Sequence, residues 1–300
     1  MTPMLKRLTL AVALAGLPAL SLAAQPAAKP ANVQVLTTLP LTHSLAAALL
    51  QGTAVQLTRA APAELPASRQ PSYFSGRGGP SLHKAALKAD AVIGVRSIWR
   101  DDPLYPLARR SNIRIVEIDA ARPVDGALPG IAVTGDEAFG AYPWLNPTNL
   151  GRMADVLAND LERLSPAEKP KIQANLAALK RQMLELTASS QAQLAEVDNL
   201  SVVSLSERLG YLASGLNLDL VEQPLPADDK WDDAALKALT DNLKQQDVAL
   251  VLHHRQPDPK VAAAIQASGA RLLVVDADAQ DAVAGLKASV EQVVEALAKG

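Results

Sequence analysis

Residues 165–197 read SPAEKPKIQANLAALKRQMLELTASSQAQLAEV, and this stretch decides the fold. After Pro166 only one further proline, Pro170, interrupts it. Ile172, Leu176, Leu179, Met183 and Leu186 recur every three or four residues, which places them on one face of a helix. About 30 helical residues would span about 45 Å, the length of a small protein. Ser165 as N-cap, Pro166 at the first helical position and Glu168 two positions later form a start signal. Such spacing also suits a coiled-coil dimer, but the flanking charge pairs that specify one are missing. The segment is therefore predicted to be a rigid strut within one chain, and the protein a monomer.

Working outward, four apolar runs precede the strut and four follow it. The first set is 33–39, 55–58, 91–95 and 113–118; the second is 202–205, 218–221, 248–252 and 271–275. Continuous rather than alternating apolarity marks strands covered on both faces, as in a parallel sheet. Helical patterns separate them at 44–50, 81–88, 147–164, 232–245, 259–267 and 279–298. Alternating strands and helices predict an α/β fold. It has two Rossmann-like lobes, each with a roughly four-stranded parallel sheet, joined by one long backbone helix. The predicted boundaries are 33–146 for the N-terminal lobe, 147–197 for the helices including the strut, and 198–300 for the C-terminal lobe.

Composition narrows the function. The 300 residues carry 29 Lys+Arg against 31 Asp+Glu, a net charge of −2, so no general attraction to nucleic acid or anionic lipid is expected. Zero cysteine excludes disulfides, thiolate nucleophiles and thiolate-held metal clusters. No Gly-x-Ser-x-Gly elbow and no Gly-x-Gly-x-x-Gly after the first strand appear, which argues against a hydrolase or a dinucleotide enzyme. Lys6 and Arg7 precede an apolar run from Leu8 to Leu22, too short for the roughly 20 residues that span a bilayer. With Ser21-Leu22-Ala23 as a small-residue cleavage pattern, residues 1–23 read as a signal peptide cut near Ala23. Residues 24–32 read as a flexible leader. The expected location is the periplasm.

Several stretches, in order along the chain, resemble one family. They are VQVLTTLP at 33–40, KADAVIGV at 88–95, WLNPTNL at 144–150, GYLA at 210–213 and RLLVVD at 271–276. Together they resemble the periplasmic solute-binding proteins of zinc/manganese ABC importers, the cluster A-I type. The resemblance implies two lobes on a long helix, capture of Zn²⁺ or Mn²⁺ as transported ligand in the cleft between them, small hinge motion, and delivery to an inner-membrane ABC permease. It implies no enzyme activity.

The resemblance also implies a metal held by three His, one sometimes Glu, and one acidic residue. Here the sequence departs from the pattern. No His lies between Pro62 and Gly76, where the first is expected. Tyr142 stands at the second position and Ser206, beside Glu207, at the third; only the acidic position is kept, as Asp276.

Ligands of open parallel sheets bind beyond the carboxyl ends of the strands. Those ends carry Arg59, Arg96 and Arg100, then Ser206, Glu207 and Arg208, then His253, His254 and Asp276. Two chemical readings follow. His253, His254, Glu207 and Asp276 could rebuild a zinc or manganese site, imidazole and carboxylate being suitable ligands. Adjacent histidines on a strand point to opposite faces, so only one would face the cleft unless both lie in the turn. Alternatively Arg59, Arg96, Arg100 and Arg208, with Tyr142 and Ser206, hold an anionic ligand such as a metal complexed by a small carboxylate chelator, since guanidinium matches carboxylate and repels bare cations. A third reading pairs these arginines with local carboxylates. A relative with a dismantled metal site, binding a partner or regulating an importer, is the functional alternative.

Other features have ordinary explanations. In Gly76–His83, Ser81 is expected to cap a helix and His83 to sit within it. His43 is expected in a turn, with access to the cleft. Asp228, Asp229, Asp232 and Asp233 around Trp231 complement a helix start. Tyr73, Phe74 and Trp99 are expected near the cleft.

Overall fold

The computed structural model describes residues 32–124, 126, 128–131, 141–226 and 230–299. The leader reading, 1–23 and 24–32, falls outside them save for Asn32, and so do Asp228 and Asp229. Among the described residues no helix is long and apolar enough to cross a membrane.

Each half of the chain builds one four-stranded parallel sheet. In the first, β1 (Gln34–Thr37), β2 (Gln56–Arg59), β3 (Ala91–Gly94) and β4 (Val116–Asp119) lie in the order β2-β1-β3-β4. In the second, β5 (Ser201–Ser204), β6 (Asp219–Leu220), β7 (Leu250–His253) and β8 (Arg271–Val274) repeat it as β6-β5-β7-β8. The central strands β3 and β7 are buried at every residue, as continuous apolar runs require. The edge strand β2 alternates between exposed and half-buried positions, and β6 is exposed.

Helices cover the sheets. The first lobe holds α1 (Pro40–Leu49), α2 (Gln70–Ser75), α3 (Gly79–Ala86) and α4 (Leu104–Ser111). Between the lobes run α5 (Pro147–Leu164) and the strut α6 (Lys169–Leu194), 26 residues long. The second lobe adds α7 (Gly210–Gly215), α8 (Asp233–Gln245), α9 (Pro259–Ser268) and α10 (Ala282–Ala298).

The start of the strut differs from expectation. Pro166–Glu168 forms a 3₁₀ turn, the α-helix begins at Lys169, and the Ser165 side chain makes no capping bond. Prolines 166 and 170 carry no N–H, so little is left there for a cap to satisfy. Ser81 is likewise no cap, because α3 already begins at Gly79. α2, α4 and α7 have no clear helical pattern in the sequence; they are short, and each contains a proline or ends on a glycine that breaks the pattern. α1 starts four residues early, at Pro40, whose fixed φ suits a first helical position. Asp232 does cap α8, accepting from Ala235 N–H at 2.8 Å.

One hydrophobic core crosses the whole molecule. It joins Val35 and Ile93 of the first sheet to Val202 and Leu250 of the second, through Leu150, Leu157 and Leu161 of α5, Ile172, Leu179 and Met183 of α6, and Leu286, Val290 and Val294 of α10. Leu176 and Leu186 pack partly buried against it, so the strut's apolar face is the one the spacing predicts. Smaller clusters sit on the outer faces, around Leu82, Val92 and Leu104 in the first lobe and around Leu239, Val251 and Ile265 in the second. Polar links reinforce the junction: Ser44 Oγ accepts from Ala282 N–H at 3.0 Å, and Asn146 caps α5 by accepting from Thr148 N–H at 2.9 Å. Gly215 lies so close to that cap that a Cβ would stand 2.9 Å from Asn146 Cγ. Only glycine fits this approach of α7 to the junction.

Candidate functional site

Both sheets turn their carboxyl ends toward a cavity of about 400 Å³ between the lobes. The first lobe contributes an apolar wall of Leu39, Leu41, Leu65 and Trp99, with Glu64 as its charged member. Tyr142 and Trp144, at the entry to α5, form the floor with Trp99. The three rings meet edge-on or tilted, at 5.4 Å (Trp99–Tyr142), 5.1 Å (Trp99–Trp144) and 4.7 Å (Tyr142–Trp144). The Trp99 indole N–H donates to Ala141 O at 3.0 Å, which fixes the cluster. The second lobe contributes the charge: Arg208, Asp276 and Asp278.

Arg208 lies in a 3₁₀ turn, Glu207–Leu209, just after β5. Its guanidinium donates to Asp278 Oδ2 at 2.5 Å and stands over the Tyr142 ring at 5.0 Å. The Tyr142 hydroxyl donates to Asp278 Oδ1 at 2.9 Å. Asp278 thus ties together an arginine and a tyrosine that already stack on one another. Burial, then the Asp278 carboxylate, raises the Tyr142 phenol well above the ordinary tyrosine range, so it stays a donor. Asp276 is exposed and accepts Asp278 N–H at 3.0 Å, holding the loop that presents Asp278.

Arg59 makes a second bridge between the lobes. At the end of β2 it donates to Gln280 Oε1 at 2.7 Å, to Ala63 O at 3.0 Å and to Thr38 O at 3.3 Å. Both arginines therefore grip one loop, Asp276–Asp281, between β8 and α10. Of the four arginines named from the sequence, Arg208 lines the cavity and Arg59, Arg96 and Arg100 do not. Arg96 pairs with Glu117 at 2.9 and 3.2 Å and lies over the Tyr105 ring; Arg100 is exposed and does not line it.

The histidines correct a further expectation. His253 ends β7 and is buried, while His254 falls in the bend beyond. Their rings stack at 4.9 Å and 25° instead of pointing to opposite faces, because the strand's alternation stops at His253. His253 Nδ1 accepts Arg255 N–H at 3.1 Å. His254 Nδ1 is buried without a hydrogen-bond partner. Burial, and then the nearby Arg208, His253 and Arg255, push its pKa down to about 4, so the ring is neutral at neutral pH. Ser206 is buried under the site, its N–H donating to Ser204 Oγ at 3.3 Å, and Glu207 is exposed on the turn. Among the described residues no group of three or more His, Cys, Asp or Glu converges as a metal cage would require. His253, His254, Glu207 and Asp276 are therefore not assembled as one set.

Of the remaining candidates, His43 Nδ1 lies 3.0 Å from Thr37 Oγ1, and His83 Nδ1 lies 2.8 Å from Ser111 Oγ. Asp278, Glu64, Gln280 and Trp144 were not singled out from sequence. The run Asp276-Ala-Asp-Ala-Gln-Asp281 was the available signal for Asp278 and Gln280: three carboxylates and an amide in a loop directly after the last strand.

Comparison with known proteins agrees with this architecture. A "Crystal structure of ZnuA" aligns at TM-score 0.67 and 20% identity, over 88% of this chain and 99% of that one. A FpvC mutant from Pseudomonas aeruginosa aligns at TM-score 0.70 and 19% identity, over 89% and 100%. A Zn(II)-bound variant of AdcAII from Streptococcus pneumoniae aligns at TM-score 0.68 and 16% identity, over 88% and 99%. At these identities the likeness concerns the fold. No curated protein sequence matches. Residues 99–300 match the family model described as zinc-uptake complex component A, periplasmic, and the chain belongs to that family.

Proposed function

We propose that this protein is the solute-binding component of a metal-type ABC importer, and that it takes its metal as a preformed anionic complex and not as the bare ion. It works in the periplasm, after removal of residues 1–23, and hands its cargo to an inner-membrane permease. The observation that carries this reading is the Arg208–Asp278–Tyr142 bridge inside the cavity. Arg208 places a permanent cation there, paired with Asp278, while Asp276 and Glu64 add carboxylates to the lining. A bare Zn²⁺ or Mn²⁺ would have to displace the guanidinium before it could use the Asp278 carboxylate. A small carboxylate chelator meets a planar donor suited to it, and the aromatic floor covers its apolar parts. With most ligands supplied by the chelator, the protein needs to add one at most.

Native mass spectrometry of protein purified without added chelator, with elemental analysis of the same sample, tests this reading. The expected result is a copurified organic mass together with one metal. One metal with no organic mass would contradict it and favour a rebuilt metal site. A protein that is empty and stays empty when offered metal–citrate would move the function to the partner-binding alternative.

A further inference from the structure

The end of the first lobe that faces away from the cavity carries a second candidate surface. In a parallel α/β lobe each helix runs back from the carboxyl end of one strand to the amino end of the next. The carboxyl ends of α3 and α4, leading into β3 and β4, therefore lie at the edge opposite the cleft. Two sets of bonds clamp those ends together: His83 Nδ1 lies 2.8 Å from Ser111 Oγ, and the Asn112 amide donates to Ala86 O at 3.1 Å and Ala89 O at 2.9 Å. Around this clamp Lys84, Lys88, Arg109, Arg110 and Arg114 are all exposed. Arg109 leans on Tyr105, donating to its hydroxyl at 2.6 Å. None of the five makes an ion pair among the described residues, whereas Arg96 next to them does. Between residues 77 and 114 the chain holds eight Lys+Arg against three Asp, although its whole net charge is −2. Of those acids Asp102 is buried before α4, while Asp90 is exposed beside Lys88, accepting Gln34 N–H at 2.8 Å, and offsets one of the cations.

Cations in a last helical turn complement the helix dipole, which accounts for Lys84, Arg109 and Arg110. It does not account for Lys88 and Arg114, which lie beyond the helix ends. Nor does it account for Leu87 and Ile113, which project there 56% and 79% exposed. With Val116, 43% exposed at the start of β4, these make three small apolar tips among long flexible cations, too small an apolar core for a stable protein interface. They match an anionic bilayer, where cations meet lipid phosphates and apolar tips enter the acyl boundary. We infer that the α3/α4 end of the first lobe docks on an anionic phospholipid surface and leaves the cavity mouth open on the far side.

Vesicle co-sedimentation tests this, comparing phosphatidylglycerol–phosphatidylcholine mixtures with phosphatidylcholine alone. Binding is expected only to the anionic vesicles and is expected to weaken as salt rises. Each cation removed should cost about fivefold, so the combined variant Lys88→Ser, Arg110→Ser, Arg114→Ser should bind about a hundredfold more weakly. The combined variant Arg110→Lys, Arg114→Lys should keep most of the binding. Comparing variant with parent cancels any contribution of residues 1–31. All three substituted residues are exposed, and an unchanged melting temperature shows that the fold is retained. Absence of binding, equal binding to both vesicle types, or an unaffected triple variant would each overturn the inference.

Discussion

The two lobes repeat one topology and divide the chemistry unequally. Both sheets have the same strand order. In the first lobe the last strand ends at Asp119, whose carboxylate is spent on structure: it accepts Ser97 N–H at 2.7 Å, Ser97 Oγ at 2.8 Å and Ala121 N–H at 2.9 Å. In the second lobe the loop after the last strand presents Asp276, exposed, and Asp278, bridged to Arg208 and Tyr142. The first lobe gives the cavity an apolar and aromatic wall with one carboxylate, Glu64; the second gives it Arg208, Asp276 and Asp278. A repeated scaffold therefore fixes where ligands enter, while the side chains past each strand end fix what enters.

The comparison breaks first if the lobes are energetically separate. Leu157 is fully buried in the core shared by both sheets. Leu157→Ala should cost about 2–5 kcal/mol, in a single transition. Trp99 and Trp144 report the cavity and Trp231 the outer face of the second lobe. Denaturation curves from single-tryptophan variants should coincide; separated midpoints would refute the shared core.

The next effect concerns the charged side alone. Arg208→Ala should weaken binding of an anionic metal complex by about 10- to 100-fold, the range for losing a charge-assisted bond. Leu65→Ala, on the opposite wall, should cost less than tenfold. Equilibrium binding of zinc–citrate to the two variants decides the order.

The lobes should also titrate in opposite directions. Asp102, behind β3, is buried, accepts Val95 N–H and Leu104 N–H at 3.1 Å each, and has its pKa raised by burial from 3.8 to about 6. The folded state holds that proton more tightly, so this contribution to stability is present at low pH and is lost as pH rises from about 4 to 6, by about 3 kcal/mol at most. His254 behaves in reverse. Its pKa is lowered from 6.5 to about 4, so its contribution is present above 6.5 and is lost as pH falls toward 4. Melting curves between pH 4 and 7 should show Asp102→Asn removing the first slope and His254→Gln the second. Loss of both slopes in one variant would mean the groups are not separate.

The smallest effect is at the junction itself. Asn146→Ala removes the α5 cap and should cost about 1 kcal/mol, seen as a small drop in melting temperature with ligand binding retained.

The architecture was legible in the sequence because it rests on periodicity. The strut face from Ile172 to Met183 and the buried runs in β3 and β7 state their own environment. The site was only partly legible. Sequence order shows that Arg96, Arg100 and Arg208 all follow strands, but not which way each turns. Arg96 meets Glu117 on the neighbouring strand β4, a pairing set by sheet register and hidden in the linear order. His254 was readable as a strand-end residue, while its stacking on His253 depends on where β7 stops. Asp278 is not legible in the sequence because its role rests on contacts with Tyr142 and Arg208, 136 and 70 residues away in the chain.

Calorimetric titration of metal-stripped protein with Zn²⁺ alone, and then with zinc–citrate, separates capture of a complex from capture of the bare ion. The expected result is no tight binding of the bare ion and saturable one-to-one binding of the complex, lost in Arg208→Ala. Tight stoichiometric binding of bare Zn²⁺, weakened by His254→Ala and Asp276→Ala but not by Arg208→Ala, would contradict it.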